Sequence, residues 1–200
     1  DQRQIHRPRL TALGDGIQLS LDGNGLAATP FDATILIEAN TIGVDTSGQP
    51  GGPYDGIGDD GIQVLHRDNA GTLNLTIDNN TFANTLSEAI RFFTDEDTGL
   101  GAGRPVSNVT ISNNAFTNID TDNNENEIEL RTRDTAQACF EVTGNGLAGN
   151  VINFSVGGTS TAAITQASVA DLASDNGGAG VFGSPTQFNA VCATALPTNG

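Results

Sequence analysis

The chain contains no Trp, no Met, no Lys and a single Tyr in 200 residues. Without large rings, its core must be built from Ile, Leu, Val and Ala, with nine Phe. Without Lys, the eight positive charges are all Arg, set against 24 carboxylates. The resulting net charge of −16 repels nucleic acid and anionic membranes, so neither is an expected partner. No apolar run approaches the roughly 20 residues that a membrane helix needs. No secretory leader is visible, and the chain opens on Asp1 rather than Met, as a mature product or a piece of a longer parent does. Only two cysteines, Cys139 and Cys192, are present, which is too few and too widely spaced for a structural zinc site. In an acidic, strand-rich chain they are expected to form one disulfide, which implies an oxidising location, secreted or at the cell surface.

What the chain does have is Gly, Asn, Asp and Thr in quantity, with 36% hydrophobic residues. That balance suits short strands joined by turns and disfavours long helices. The stretch Leu75-Thr-Ile-Asp-Asn-Asn-Thr-Phe82 sets a pattern that recurs at Ile35–Ile42, Val109–Phe116 and Phe140–Leu147. Its fixed mark is an Asn: Asn40, Asn80, Asn114 and Asn145, at spacings of 40, 34 and 31. A second family of apolar-x-apolar segments alternates with the first: Ile17/Leu19, Ile62/Val64, Ile90/Phe92, Ile128/Leu130 and Ile152/Phe154. Constant strand cores with variable loops are the signature of a stacked repeat.

The expected arrangement places one strand of each family on each of two faces. Like strands stack in parallel about 4.8 Å apart. Inward columns are then Ile37, Ile77, Ile111, Val142 on one face and Ile62, Ile90, Ile128 on the other. Outward columns are Gln63, Arg91, Glu129 and Arg67, Asp95, Arg133. The four Asn should stack as a ladder in the turn, each amide bonding the next. Residues 1–13, with Arg3, Arg7 and Arg9, read as an arm or linker, 14–156 as the stack, and 157–200 as a cap. Within the cap, Thr161–Ser174 reads as a short helix followed by Gly177.

The coils Leu73–Phe82 with Ala89–Asp95, and Asn108–Phe116 with Glu127–Thr132, resemble the right-handed parallel β-helix of pectate lyases, polygalacturonases and bacterial surface proteins. The resemblance covers residues 14–156 and implies an all-β solenoid and its handedness. It also implies two functions to look for: a structural or surface-interaction module that self-assembles or continues a longer parent chain, and a protein that binds or cleaves an extracellular polysaccharide.

The polygalacturonase pattern of paired Asp with Gly-His-Gly is not met. Asp59-Asp60 reads as a solvated turn, His6 and His66 lack flanking Gly, and His66-Arg67 reads as an exposed polar pair. No residue is therefore assigned a catalytic role. Calcium is the cation such a composition invites. Its candidate ligands are Asp120, Asp122, Asn124 and Glu127, whose oxygens alternate as in a calcium loop but without the Gly and closing Glu of an EF-hand. For a glycan, the candidate contacts are Tyr54, Arg91, Phe93 and Arg131.

Overall fold

A computed structural model describes residues 15–22, 32–43, 59–68, 70–83, 85, 87–96, 104–117, 119, 126–147 and 150–192. The arm at 1–13 lies outside the described residues. In chain order the strands are β1 (Ile17–Asp22), β2 (Ala33–Glu38), β3 (Thr41–Ile42), β4 (Ile62–Arg67), β5 (Thr72–Asp78) and β6 (Thr81–Ala83). They continue as β7 (Ile90–Asp95), β8 (Val106–Ser112), β9 (Ala115–Thr117), β10 (Ile128–Thr132), β11 (Gln137–Thr143), β12 (Val151–Val156) and β13 (Thr161–Ile164). Helix α1 (Val169–Asp175) and strand β14 (Gly180–Phe182) complete the described elements.

Three parallel sheets form. The first has the order β1-β4-β7-β10-β12-β14, the second β13-β11-β8-β5-β2, and the third β3-β6-β9. Through β11 the chain visits the three sheets in rotation, then alternates between the first two, and each strand pairs with its counterpart from the previous visit. The third sheet corrects the expectation of two faces. Its strands are two or three residues long, too short to display an alternation, and each carries the apolar residue that follows a ladder asparagine by two places (Ile42, Phe82, Phe116).

Register is what makes the core. Ile37, Ile77, Ile111 and Val142 stand opposite one another across β2, β5, β8 and β11. Ile62, Ile90, Ile128 and Ile152 do the same in the first sheet. All eight are buried. Phe82 and Phe116 stack face to face at 5.2 Å in the third sheet. Phe140 meets Phe92 and Phe154 edge-on across the interior.

Between the second and third sheets the chain turns through a left-handed residue: Ala39, Asn79, Asn113 or Gly144. The next residue is always a ladder asparagine. The backbone N–H and one side-chain N–H of Asn40 both donate to Oδ1 of Asn80, at 2.9 and 3.0 Å. Asn80 donates likewise to Asn114, and Asn114 to Asn145. The second amide hydrogen goes to a core-column carbonyl: Asn80 to Ile37, Asn114 to Ile77, Asn145 to Ile111. Each Asn thereby satisfies backbone groups that burial would otherwise orphan. Asn176, which the sequence reading did not include, adds a fifth member, accepting from Asn145 and donating to Val142.

The C-terminal region departs from the expected helix over Thr161–Ser174. Its first four residues form β13, paired to Gln137–Phe140. The helix starts only at Ser168, whose hydroxyl caps it by accepting from the Asp171 N–H. The segment after β14 then bonds to β13: Thr186 N–H donates to Ala162 O, Ile164 N–H to Gln187 O, and Ala190 N–H to Ile164 O. Cys139 of β11 is joined to Cys192 in a disulfide, Cα to Cα 5.4 Å. Closing a loop of this size stabilises the fold by about 4 kcal/mol on the chain-entropy model.

His66 also corrects the sequence reading. Even positions of β4 face the interior, so His66 is fully buried and its Nδ1 lies 2.8 Å from Ser107 Oγ of the second sheet.

Two outcomes follow. Asn114→Ala strips the acceptor from Asn80 and a donor from Ile77 O, so it should cost about 3 kcal/mol in urea unfolding. Asn40→Ala, at the exposed end of the ladder, should cost about 1 kcal/mol. Burial pulls His66 down from 6.5 to about 4. The unfolded chain takes up that proton first, so the stability is present above pH 6.5 and is lost as pH falls through 4. Thermal midpoints of His66→Gln should fall less steeply than those of the wild type over this window.

Candidate functional site

The same register that builds the core also stacks acids. Asp15, Asp60 and Glu88 each lie two residues ahead of the paired Ile17, Ile62 and Ile90. The backbone confirms the alignment, because Gly16 N–H donates to Asp60 O and Gly61 N–H donates to Glu88 O, both at 2.9 Å. Gly61 is required for this approach, since a Cβ there would sit 2.6 Å from Ala89 O. Like charges placed directly opposite on neighbouring strands repel, so the column needs compensation.

Compensation comes from several sides. Asp60 is fully buried; its Oδ2 accepts from Gln63 Nε2 at 2.9 Å and lies 3.6 Å from the Arg91 guanidinium. Arg91 also contacts Glu129 at 3.1 Å. Burial works against the charge on Arg91, but Asp60, Glu88 and Glu129 outweigh it and hold the group above its ordinary value. Glu88 is 3% exposed. Burial, helped by a hydrogen bond to Asp60, pushes it from 4.5 up to about 8, against the Ser87 hydroxyl that bonds it at 2.5 Å. Glu88 therefore keeps its proton at neutral pH. Burial raises Asp15 as well, with Asp60 and Asp59 adding to the effect. One oxygen from each of Asp15, Asp59 and Asp60 lies within 4.8 Å of the other two. The reading of Asp59-Asp60 as a solvated turn is thus corrected: Asp59 is exposed, and Asp60 is interior.

Beside the acids, the outer face of the first sheet carries a basic and aromatic strip. Leu65, Phe93, Arg131 and Ser155 align across β4, β7, β10 and β12. The guanidinium groups of Arg67 and Arg131 lie over the Phe93 ring, 4.4 and 4.8 Å from its centre. Arg133 extends the strip and donates to Ser155 Oγ at 2.9 Å. Gln18 donates to Gln63 at 2.9 Å in the row alongside.

Of the glycan candidates, Arg91, Phe93 and Arg131 are brought together on this face, while Tyr54 lies outside the described residues. Of the calcium-loop candidates, Asp120, Asp122 and Asn124 also lie outside them. Glu127 is buried, and its Oε2 accepts from Val151 N–H at 2.5 Å. The residues that sequence reasoning passed over, Asp15 and Glu88, did leave a signal. Asp15-Gly-Ile-Gln18 and Asp60-Gly-Ile-Gln63 are the same tetrapeptide, and Glu88-Ala-Ile90 follows it.

The chain matches no protein-family model, no curated protein and no solved structure.

Because Glu88 gains proton affinity on folding, its contribution to stability is present below pH 4.5 and is lost as pH rises through 8. In chelator, the wild type should lose stability relative to Glu88→Gln across that window. Urea titrations of the two proteins at matched pH values check this.

Proposed function

We propose that this chain is a right-handed parallel β-helix, secreted or displayed at a cell surface, that works as an interaction module. Its binding surface is the outer face of the six-stranded sheet, and its ligand is an extended, anionic polysaccharide. The observation that carries the reading is the pair of guanidinium groups, Arg67 and Arg131, held over the Phe93 ring, with Arg91 and Arg133 on the same sheet, in a protein whose net charge is −16. Planar, forked guanidinium donors on a sheet face suit carboxylate or sulfate groups. Parallel strands about 4.8 Å apart offer repeated rows to a repeating polymer.

Two further features support the same reading. The disulfide fits an oxidising location. Rotation of the chain through three parallel sheets, with an Asn ladder at one corner, fits the solenoid reading. Binding is favoured over cleavage because Glu88, the carboxyl held protonated near neutral pH, is nearly inaccessible. Binding is favoured over growth into a fibre because the chain's own 186–190 segment bonds to β13. Head-to-tail growth needs both ends of a stack free.

The test is calorimetric titration with anionic and neutral polysaccharides, alongside sedimentation velocity. Anionic polymers should bind, and Arg91→Ala with Arg131→Ala should weaken binding at least ~10-fold, on the ~1.5–3 kcal/mol scale of a charge-assisted hydrogen bond. Failure of every polysaccharide to bind would sink the reading, and large particles without ligand would return the function to self-assembly.

A further inference from the structure

We propose that Asp15, Asp59 and Asp60 form a divalent-cation site that clasps the segment leading into β1 to the segment leading into β4. It uses none of Asp120, Asp122, Asn124 and Glu127, and it is independent of the polysaccharide reading.

Two observations converge on it. The first is the spacing: one carboxylate oxygen from each of the three residues falls within 4.8 Å of the others. Oxygens bound to one calcium ion at 2.3–2.6 Å must lie closer together than about twice that distance. The second is a deficit of donors. Asp60 is fully buried with Oδ2 given to Gln63 and Arg91, which leaves Oδ1 to the cluster, and no donor among the described residues is placed on it. Asp15 Oδ1 is likewise shielded and without a donor. Buried carboxylate oxygens in native folds are hydrogen-bonded or bound to a metal.

The chemistry selects the ion. Three carboxylates with no ring nitrogen or thiolate in the group favour a hard cation. Asp15 is partly buried, Asp59 exposed and Asp60 interior, so the ion would enter from the Asp59 side and keep water there. Calcium, which accepts six to eight oxygens in irregular arrangements, suits such a set better than magnesium, which demands an octahedron. Three negative charges meet two positive ones, and Arg91 sits on the far oxygen of Asp60. The ion therefore cancels the repulsion that register imposes on Asp15 and Asp60. Because these residues precede different strands, the ion ties β1 to β4 from outside the ladder of hydrogen bonds.

The experiment is thermal unfolding and calorimetric titration of the full chain with calcium chloride against chelator, at ionic strength matched with sodium chloride. Calcium should raise the midpoint and bind with a dissociation constant of ~0.1–1 mM, as weak extracellular calcium modules do. Asp59→Asn, a change at an exposed side chain, should weaken binding at least ~10-fold. Asp15→Asn should do the same. Glu38→Gln removes a negative charge from β2, away from the cluster, and should leave the response unchanged. No calcium response in the wild type, or equal responses in Asp59→Asn and Glu38→Gln, would overturn the proposal.

Discussion

Parallel pairing in unshifted register is the constraint on which the rest of the structure depends. It places every side chain beside its counterpart from the previous visit to the same sheet, so any residue choice is made as a column rather than singly. Aliphatic columns such as Ile37-Ile77-Ile111-Val142 gain from this, because identical branched side chains nest along the stack. Asparagine gains more than any other polar residue. Its amide carries both a donor pair and an acceptor, so one side chain can take from the preceding turn and give to the following one. Aspartate gains least, since it can only accept and it repels its own kind. The Asn ladder and the acidic column are the favourable and unfavourable outcomes of one geometric rule.

The molecule tolerates the unfavourable column by surrounding it. Gln63 and Arg91 approach Asp60 on one oxygen, and Glu88 stays neutral. Arg91 then reaches Glu129, and Glu129 reaches Arg131 at 3.8 Å, so compensation runs outward across the sheet into the strip around Phe93. Interior and surface are therefore linked electrostatically through one row of side chains. Exposed pairs of this kind contribute little individually, but here the row begins at a fully buried carboxylate, where an unmatched charge is costly.

Much of this was legible in the chain, and what was not has physical causes. Ile62, Ile90 and Ile128 declare their column because period-two alternation survives in strands of five or six residues. Asn40, Asn80, Asn114 and Asn145 declare theirs because each sits at a fixed offset from such a strand. Asn176 breaks that offset: a helix, not a strand, precedes it, so its equivalence is visible only in three dimensions. The third sheet is hidden because two residues cannot show a period. His66 looked exposed because its neighbour is Arg67, although counting from Ile62 puts it inside. The acidic column was written twice as Asp-Gly-Ile-Gln, but a repeat reveals stacking only once the register is known. The fit of Arg67 and Arg131 to one ring depends on side-chain directions that spacing does not encode.

The covalent tie between Cys139 and Cys192 has a consequence for how the molecule comes apart. Among the described strands the backbone ladders run between neighbours of one sheet, so the array loses structure from its termini inward. At one terminus the closing segment is bonded to β13 and cross-linked to β11, which must therefore unravel together. At the other, β1 and β2 each have one strand partner among the described residues. Unravelling is thus directional: under pulling force or protease attack, the β1–β3 side yields first, and the disulfide side is the anchor that remains.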